Sequence, residues 1–271
     1  MCRILGVKSN NYYSYQKRKQ NELSDSTHQD MLDLVQDIAK FSNNTYGIRR
    51  IKAVLNALSF PVSRWKVAKL MKEANVWVRY KKKYKSTTNS EHNKPLYKNE
   101  LEQNFTTEQP NQAFVGDITY IWTAEGWLYL AVVIDLYSRK VVGWSMGSRM
   151  KALLVCDALT MAIWQRQPDK GLIVHSDQGV QYASHQYRQL LSNNDYIGSM
   201  SKKGGCWDNA VAESFFGSLK QERVHWKNYE AQQDVMNYIT MWYNSNRLHS
   251  YLGYQSPNDF ELKINELEKV A

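Results

Sequence analysis

Two carboxylates in this chain, Asp177 and Glu213, have 35 residues between them and sit in local patterns that would hold each of them still. GLIVHSDQGVQY reads as a buried strand (Leu172, Ile173, Val174) running into His175-Ser176-Asp177-Gln178-Gly179, with Gly179 as the breaker. SKKGGCWDNAVAESFFGSLKQERVHW reads as a Gly-rich loop feeding a helix, with Asp208 or Asn209 available as N-cap and Glu213 about one turn in. A third acid, Asp117, lies in the strand-like run AFVGDITYIW. A strand end, a helix start and a neighbouring strand can converge three carboxylates on a pair of divalent ions, the arrangement that activates an oxygen nucleophile and relieves charge on a leaving oxygen in phosphodiester chemistry. Hard oxygen donors favour Mg²⁺, with Mn²⁺ as substitute, and two ions are expected, bridged by Asp117 with Asp177 and Glu213 on either side.

Spacing alone does not select these residues, because Asp37 and Glu73 show the same offset. Asp37 falls on the polar side of an amphipathic helix and Glu73 among lysines, so that pair is a coincidence. Asp135, ending VVIDLYSRK, rivals Asp117 but reads as a structural cap of the turn toward Arg139. His175 points to the same strand face as Asp177 and reads as a hydrogen-bonded histidine beside the site. Phe215, Phe216 and Trp207 read as core. No Ser–His or Cys–His pair has comparable context, which argues against a covalent protein intermediate. On the helix bearing Glu213, Asn209, Gly217 and Lys220 fall within about 40° of its direction. Lys220 is about 10 Å further along the axis, too far to ligate the same ions and placed to hold a phosphate, while Gly217 leaves room for a backbone to approach.

The elements that must position these groups can be read in order. Residues 1–27 are an N-terminal segment, basic and Tyr-rich at its start, with no structure assigned. Residues 28–85 hold three helices: an amphipathic one over 28–41, a second carrying Ile48, Ile51, Val54, Leu55 and Leu58, and a third from Arg64 to Ala74 capped by Ser63. The last two, joined by a short turn, fit a helix-turn-helix reader of double-stranded DNA. Its DNA-contacting candidates are Arg49, Arg50, Arg64, Lys69, Lys72, Lys81, Lys82 and Lys83. Net charge is +9 overall, yet residues 49–85 alone net +11, with Glu73 the one acid among them. Such one-sided excess is the footprint of a phosphate-binding surface. A helical hairpin packed on the remainder of the chain is the plainer alternative.

Residues 86–110 are polar and read as a linker. From 111 to 226 three strands rich in Val, Ile, Tyr and Trp precede alternating helices and strands: helix 151–167, strand 171–177, helix 182–193, strand 196–201, and the Glu213 helix. The fold class is therefore α/β, a mixed sheet covered by helices, preceded by an all-α domain. Residues 227–271 add helices 229–246 and 257–269, the latter with Ser256 as cap and Pro257 at its first position. Cys2, Cys156 and Cys206 form no CxxC and argue against a disulfide framework or zinc site. No apolar run approaches the roughly 18 residues of a membrane span, and no signal peptide is evident, so a cytoplasmic protein with no membrane partner is expected.

HSDQGVQYAS, SMSKKGGCWDNAVAESFFGSLKQE and YNSNRLHSYLGYQSP together resemble the catalytic subunit of bacterial insertion-sequence transposases with a retroviral-integrase-type core, in the large family encoded in two overlapping frames, this chain being similar to the second. The likeness runs from about Cys2 to Phe260. Phe114 stands where the family motif usually has Trp, upstream of its first acid. The resemblance implies a ribonuclease-H-like fold, Asp117, Asp177 and Glu213 as catalytic acids, and DNA 3′-end cleavage by water followed by strand transfer by a 3′-hydroxyl. It further implies a copy-out, paste-in pathway, homo-oligomers on DNA, and an upstream-frame subunit supplying another helix-turn-helix and a coiled coil. Two other readings remain at this point: a DNA-binding regulator derived from an inactive transposase, and a metal-dependent nuclease or resolvase on the same fold.

Overall fold

The computed structural model describes residues 8–23, 26–80, 95–102, 104–201, 209–226 and 231–270. The chain divides into two compact units, Met1–Tyr80 and Lys81–Ala271.

The first unit is all helical: α1 (Ser9–Leu23), α2 (Ser26–Phe41), α3 (Ile48–Ala57) and α4 (Arg64–Glu73). Met31, Val35 and Ile38 of α2, Ile51 and Leu55 of α3, and Val67, Leu70 and Met71 of α4 are buried, so each of these three helices spends one apolar stripe on a shared core. α1 is the element that the sequence left unassigned. Between α3 and α4 the chain reverses through Ser59 in a left-handed conformation (φ 68°). The Asn56 carboxamide oxygen accepts from the Val62 amide at 3.0 Å, and the Ser63 hydroxyl accepts from the Lys66 amide at 3.1 Å. The expected cap is therefore in place, of a kind that stabilises a helix by about 1 kcal/mol.

The second unit is built on five strands: β1 (Ala113–Thr123), β2 (Gly126–Asp135), β3 (Val141–Gly147), β4 (Ile173–Ser176) and β5 (Ile197–Met200). They lie in the order β3-β2-β1-β4-β5. The first three form the antiparallel meander read from the sequence, and β4 and β5 add in parallel beside β1. α5 (Ala152–Arg166) and α6 (His185–Asn193) pack on one face with Phe114, Ala131 and Val133. α7 (Ala210–Glu222), α8 (Ala231–Asn237) and the turn after it cover the other face with Val115, Leu130 and Val132. This alternation along β1 and β2 is what a sheet buried on both faces demands. α5 lies so close to β3 that a Cβ on Gly143 would stand 2.1 Å from the Ala158 carbonyl oxygen.

Two expectations change in detail. Part of the stretch read as linker is seated against the sheet: the Met200 amide donates to the Lys98 carbonyl at 3.2 Å and the Glu100 amide to the Ser199 hydroxyl at 2.9 Å. Gly198 of β5 leaves room for the Tyr97 ring, which any Cβ there would meet at 2.6 Å. The single helix expected over 229–246 is instead α8 continued by a π-helical turn, Tyr238–Tyr243. The wider i→i+5 turn brings both Tyr238 and Tyr243 into the core, which an α-helical pitch would not do. The chain ends in α9 (Pro257–Val270), where Ser256 accepts from the Asp259 amide at 3.2 Å.

Candidate active site and nucleic-acid surface

Asp117 and Asp177 come together through sheet register. β1 and β4 run parallel with Gly116 opposite Ser176 as their last pair. Asp117, inside β1, and Asp177, just past the end of β4, are the residues that follow this pair on neighbouring chains about 4.8 Å apart. α7 packs through Phe215 and Leu219 against the cluster that holds Val115. Glu213, exposed in the first turn of α7, thereby faces the same region.

The electrostatics record this convergence. The half-buried Asp117 carboxyl is held well above the ordinary carboxylate range, first by burial, then by Asp177, and further by Glu213. Its own chain opposes the shift, since the Ile118 amide donates to Asp117 Oδ1 at 2.7 Å. Lys220 also opposes it. Burial pulls the Lys220 ammonium below the ordinary lysine range and Asp117 pulls it back. Lys220 Nζ stands 5.3 Å from the centroid of the Tyr120 ring. The lysine assigned to a remote phosphate thus lies within the field of the first acid.

Asp177 is fixed by its own loop. The Gly179 amide donates to Asp177 Oδ1 at 2.9 Å, and a Cβ on Gly179 would stand 2.8 Å from that oxygen. The residue read only as a strand breaker is thus also required small by the carboxylate beside it. Tyr182 was not singled out in the sequence. Its ring lies under β1, where a Cβ on Gly116 would meet the hydroxyl oxygen at 3.4 Å. Burial, then Asp117, holds that phenol well above its ordinary range and so protonated. His175 is fully buried with Nδ1 2.8 Å from the Ser199 hydroxyl, in keeping with a hydrogen-bonded histidine beside the site.

Asp135 belongs to a different network. Its Oδ1 accepts from the Tyr137 amide at 2.9 Å, and its Oδ2 accepts from the Asn111 amide and Arg166 Nη2, both at 3.0 Å. It caps the turn as expected, but its cationic partner is Arg166. Arg139 instead donates to the Phe105 carbonyl and lies 4.0 Å from the Tyr251 ring centroid. Of the two N-cap candidates for α7, Asn209 holds the position, without a side-chain capping bond. Trp207 and Asp208 lie outside the described residues. Asp37 and Glu73, the coincidental pair, have local partners in the first unit, Lys40 at 3.6 Å and His28 at 3.1 Å.

The C-terminal motif YNSNRLHSYLGY has a structural account that spacing did not supply. Asn244 clasps the first residue of β3, accepting from the Val141 amide at 3.0 Å and donating to its carbonyl at 2.9 Å. Tyr243 meets Phe215 edge-on at 4.7 Å. Arg247 donates through Nε to both Glu222 oxygens, at 2.9 and 3.1 Å, and through Nη2 to Ser218 Oγ at 2.7 Å. Glu222 also accepts from the Tyr238 hydroxyl at 2.9 Å and the Trp242 indole at 3.1 Å. Burial works against the Arg247 charge, but Glu222 outweighs it and the guanidinium stays charged. Residues 218 and 222 lie one turn apart on α7, so one arginine pins the helix that carries Glu213.

On the first unit, Arg49, Arg64 and Lys72 are exposed, Arg50 lies 5.1 Å from the Tyr46 ring centroid, and Lys69 pairs with Glu73 at 3.8 Å. Trp65, between Arg64 and the next lysine of α4, is 76% exposed. Lys81, Lys82 and Lys83 lie outside the described residues.

Comparison with known proteins supplies the context for this geometry. Residues 107–206 match the integrase core domain, residues 197–257 match a second model of the integrase core domain, and residues 27–84 match an HTH-like domain. The chain is 42% identical over 269 residues to the transposase InsF for insertion sequence IS3A of Escherichia coli strain K12, covering 97% of this chain and 93% of the relative. It is 40% identical over 273 residues to the insertion element IS600 uncharacterized 31 kDa protein of Shigella sonnei, covering 98% and 99%. Among solved structures, the simian T-cell lymphotropic virus intasome in complex with PP2A regulatory subunit B56 gamma matches with a TM-score of 0.50 at 14% identity, covering 83% of this chain and 73% of that one. The fold is that of the integrase core.

Proposed function

The chain belongs to the transposases of IS3-type insertion sequences, and on that footing we propose that it cuts the 3′ ends of an insertion sequence and joins them to target DNA. The observation that carries this reading is the repulsion that Asp177 and Glu213, from two other elements, exert on half-buried Asp117. Hard oxygen donors crowded into one another's field suit divalent cations. Among the described residues, the side chains as they stand form no group of three acids, histidines or cysteines able to hold a metal ion. Asp117, Asp177 and Glu213 would hold Mg²⁺, two ions in all with Mn²⁺ as substitute, and the bound metal would supply Lewis-acid activation of the attacking oxygen and charge relief at the leaving one.

The chain's own residues do the rest. Register places the two aspartates, the Gly179 turn orients Asp177, and the Arg247 clasp sets the helix from which Glu213 projects. Lys220 contributes positive charge where a phosphate would enter. The helix-turn-helix unit, with Arg49, Arg50, Arg64, Lys69 and Lys72, would bring the terminal sequences, joined by Lys81, Lys82 and Lys83. Assembly as homo-oligomers on DNA and action with an upstream-frame subunit in the cytoplasm complete the proposal. Among the described residues, no helix is long and apolar enough to cross a membrane.

The test is incubation with a labelled insertion-sequence end and Mg²⁺. Nicked and joined products that vanish with a chelator and return with Mn²⁺ support the reading. Products that persist in excess chelator would remove the metal from it.

A further inference from the structure

The β1–β2 hairpin ends in aromatic rings that the fold does not bury. Register places Trp122 opposite Trp127 and Tyr120 opposite Tyr129, and alternation puts them on one face of the sheet. Tyr120, Trp122 and Trp127 are 40%, 63% and 48% exposed. Their rings touch edge-on, Tyr120 to Trp127 at 5.2 Å and Trp122 to Trp127 at 4.8 Å, so they form one continuous platform. Nearer the sheet centre this same face is covered by α5 and α6. β4 stops at Ser176, opposite Gly116, so it does not flank this part of β1. Lys220 reaches the inner end of the platform at the Tyr120 ring.

We infer that this platform stacks unpaired nucleobases of the DNA strand held at the acid cluster, with Lys220 taking the neighbouring phosphate. The inference rests on the proposed function above and adds a base-binding surface to it. Tyr120 and Trp122 lie roughly 10 and 17 Å along β1 from Asp117 and alternate to the opposite face, and Lys220, in the field of Asp117 and 5.3 Å from the Tyr120 ring, joins the two around the part of β1 that β4 does not flank. Those distances are a few nucleotides from the phosphate to be attacked. Any base offers a π-face to these rings, so the contact is indifferent to sequence. The lysine beside the rings supplies the charge complementarity that distinguishes a nucleotide from an apolar protein partner.

The experiment uses the full chain and a duplex carrying a single-stranded 3′ overhang with 2-aminopurine at successive positions. Stacking quenches the probe in the unsubstituted protein. Trp122→Ala and Trp127→Ala should relieve the quenching and weaken overhang binding by roughly five- to a hundred-fold, while blunt duplex binding is unchanged. Trp122→Phe and Trp127→Phe should restore most of both signals, which a merely unfolded hairpin would not allow. Quenching unaltered in the alanine variants overturns the inference, as does a change confined to self-association in sedimentation, which would make the platform a contact between copies. Asp117→Asn keeps the two readings apart: it should lose joining and retain quenching. Joined products from the unsubstituted chain without quenching would sink the platform alone, whereas quenching without any joining would sink the proposed function.

Discussion

Replacing Arg247 by Met should cost the second unit far more than an ordinary surface change, and the structure says by how much. Arg247 and Glu222 side chains are 9% and 8% exposed, and the guanidinium makes three hydrogen bonds onto α7. Removing one member of such a pair leaves the other charge buried, a loss of about 3–5 kcal/mol. Glu222 would keep the Tyr238 hydroxyl and the Trp242 indole, two neutral donors, which argues for the lower half of that range. At about 2–4 °C per kcal/mol for a unit of this size, the midpoint of thermal unfolding should drop by about 6–16 °C. Arg247→Met with Glu222→Met should recover much of the loss, because no orphaned charge remains. Scanning calorimetry of the three variants beside the parent chain measures this directly. A midpoint within about 2 °C of the parent for Arg247→Met, or a double variant as unstable as the single, would refute the view of this pair as the clasp on α7.

Gly179→Ala should leave folding nearly intact and cut joining at least ten-fold, because its Cβ would press on Asp177 Oδ1 at 2.8 Å; a joining rate equal to the parent's counts against that constraint. Gly143→Ala should fail differently, giving little folded protein on expression, since a carbonyl oxygen 2.1 Å from its Cβ leaves α5 nowhere to sit. Asp135→Asn should lower stability through its buried bond to Arg166 yet keep joining per folded molecule, checked by melting and by active-site-normalised assay. Burial raises the Glu261 carboxyl, but Arg166, with Ser138 and Lys140, outweighs it and holds the pKa below its ordinary 4.5. A folded pKa below the unfolded one gives stability that is present above the ordinary value and is lost as pH falls from about 4.5 through the lowered one. The stability gap between the parent and Glu261→Gln should therefore narrow on acidification over that window, measured by denaturant titration at several pH values.

Much of the architecture was legible because it is written in local periodicity. Alternation of Val, Ile and Tyr marked β1 to β3, and apolar stripes marked α2 to α5. Ser63 marked the start of α4. Asp177 was readable at a strand's end and Asp117 within a strand, though only register shows that they are adjacent. Long-range pairings left no comparable trace. Nothing near Arg247 indicates that it answers Glu222, 25 residues earlier, and nothing near Asp135 favours Arg166 over the closer Arg139. The π-helical turn was missed for a related reason: Tyr238 and Tyr243 become buried together only because tertiary packing rewards the wider pitch. Tyr182 and the aromatic platform went unread because a lone tyrosine or tryptophan in a strand carries no spacing signal until its neighbours in space are known.

The most direct test of the central claim is strand transfer by three single variants, Asp117→Asn, Asp177→Asn and Glu213→Gln, with a labelled insertion-sequence end, target DNA and Mg²⁺. Each change removes one carboxylate charge and little volume, so binding of the end should survive while nicked and joined products disappear. Joining that persists in any of the three, in protein shown to bind DNA as the parent does, would contradict the assignment of that residue to the metal-holding set.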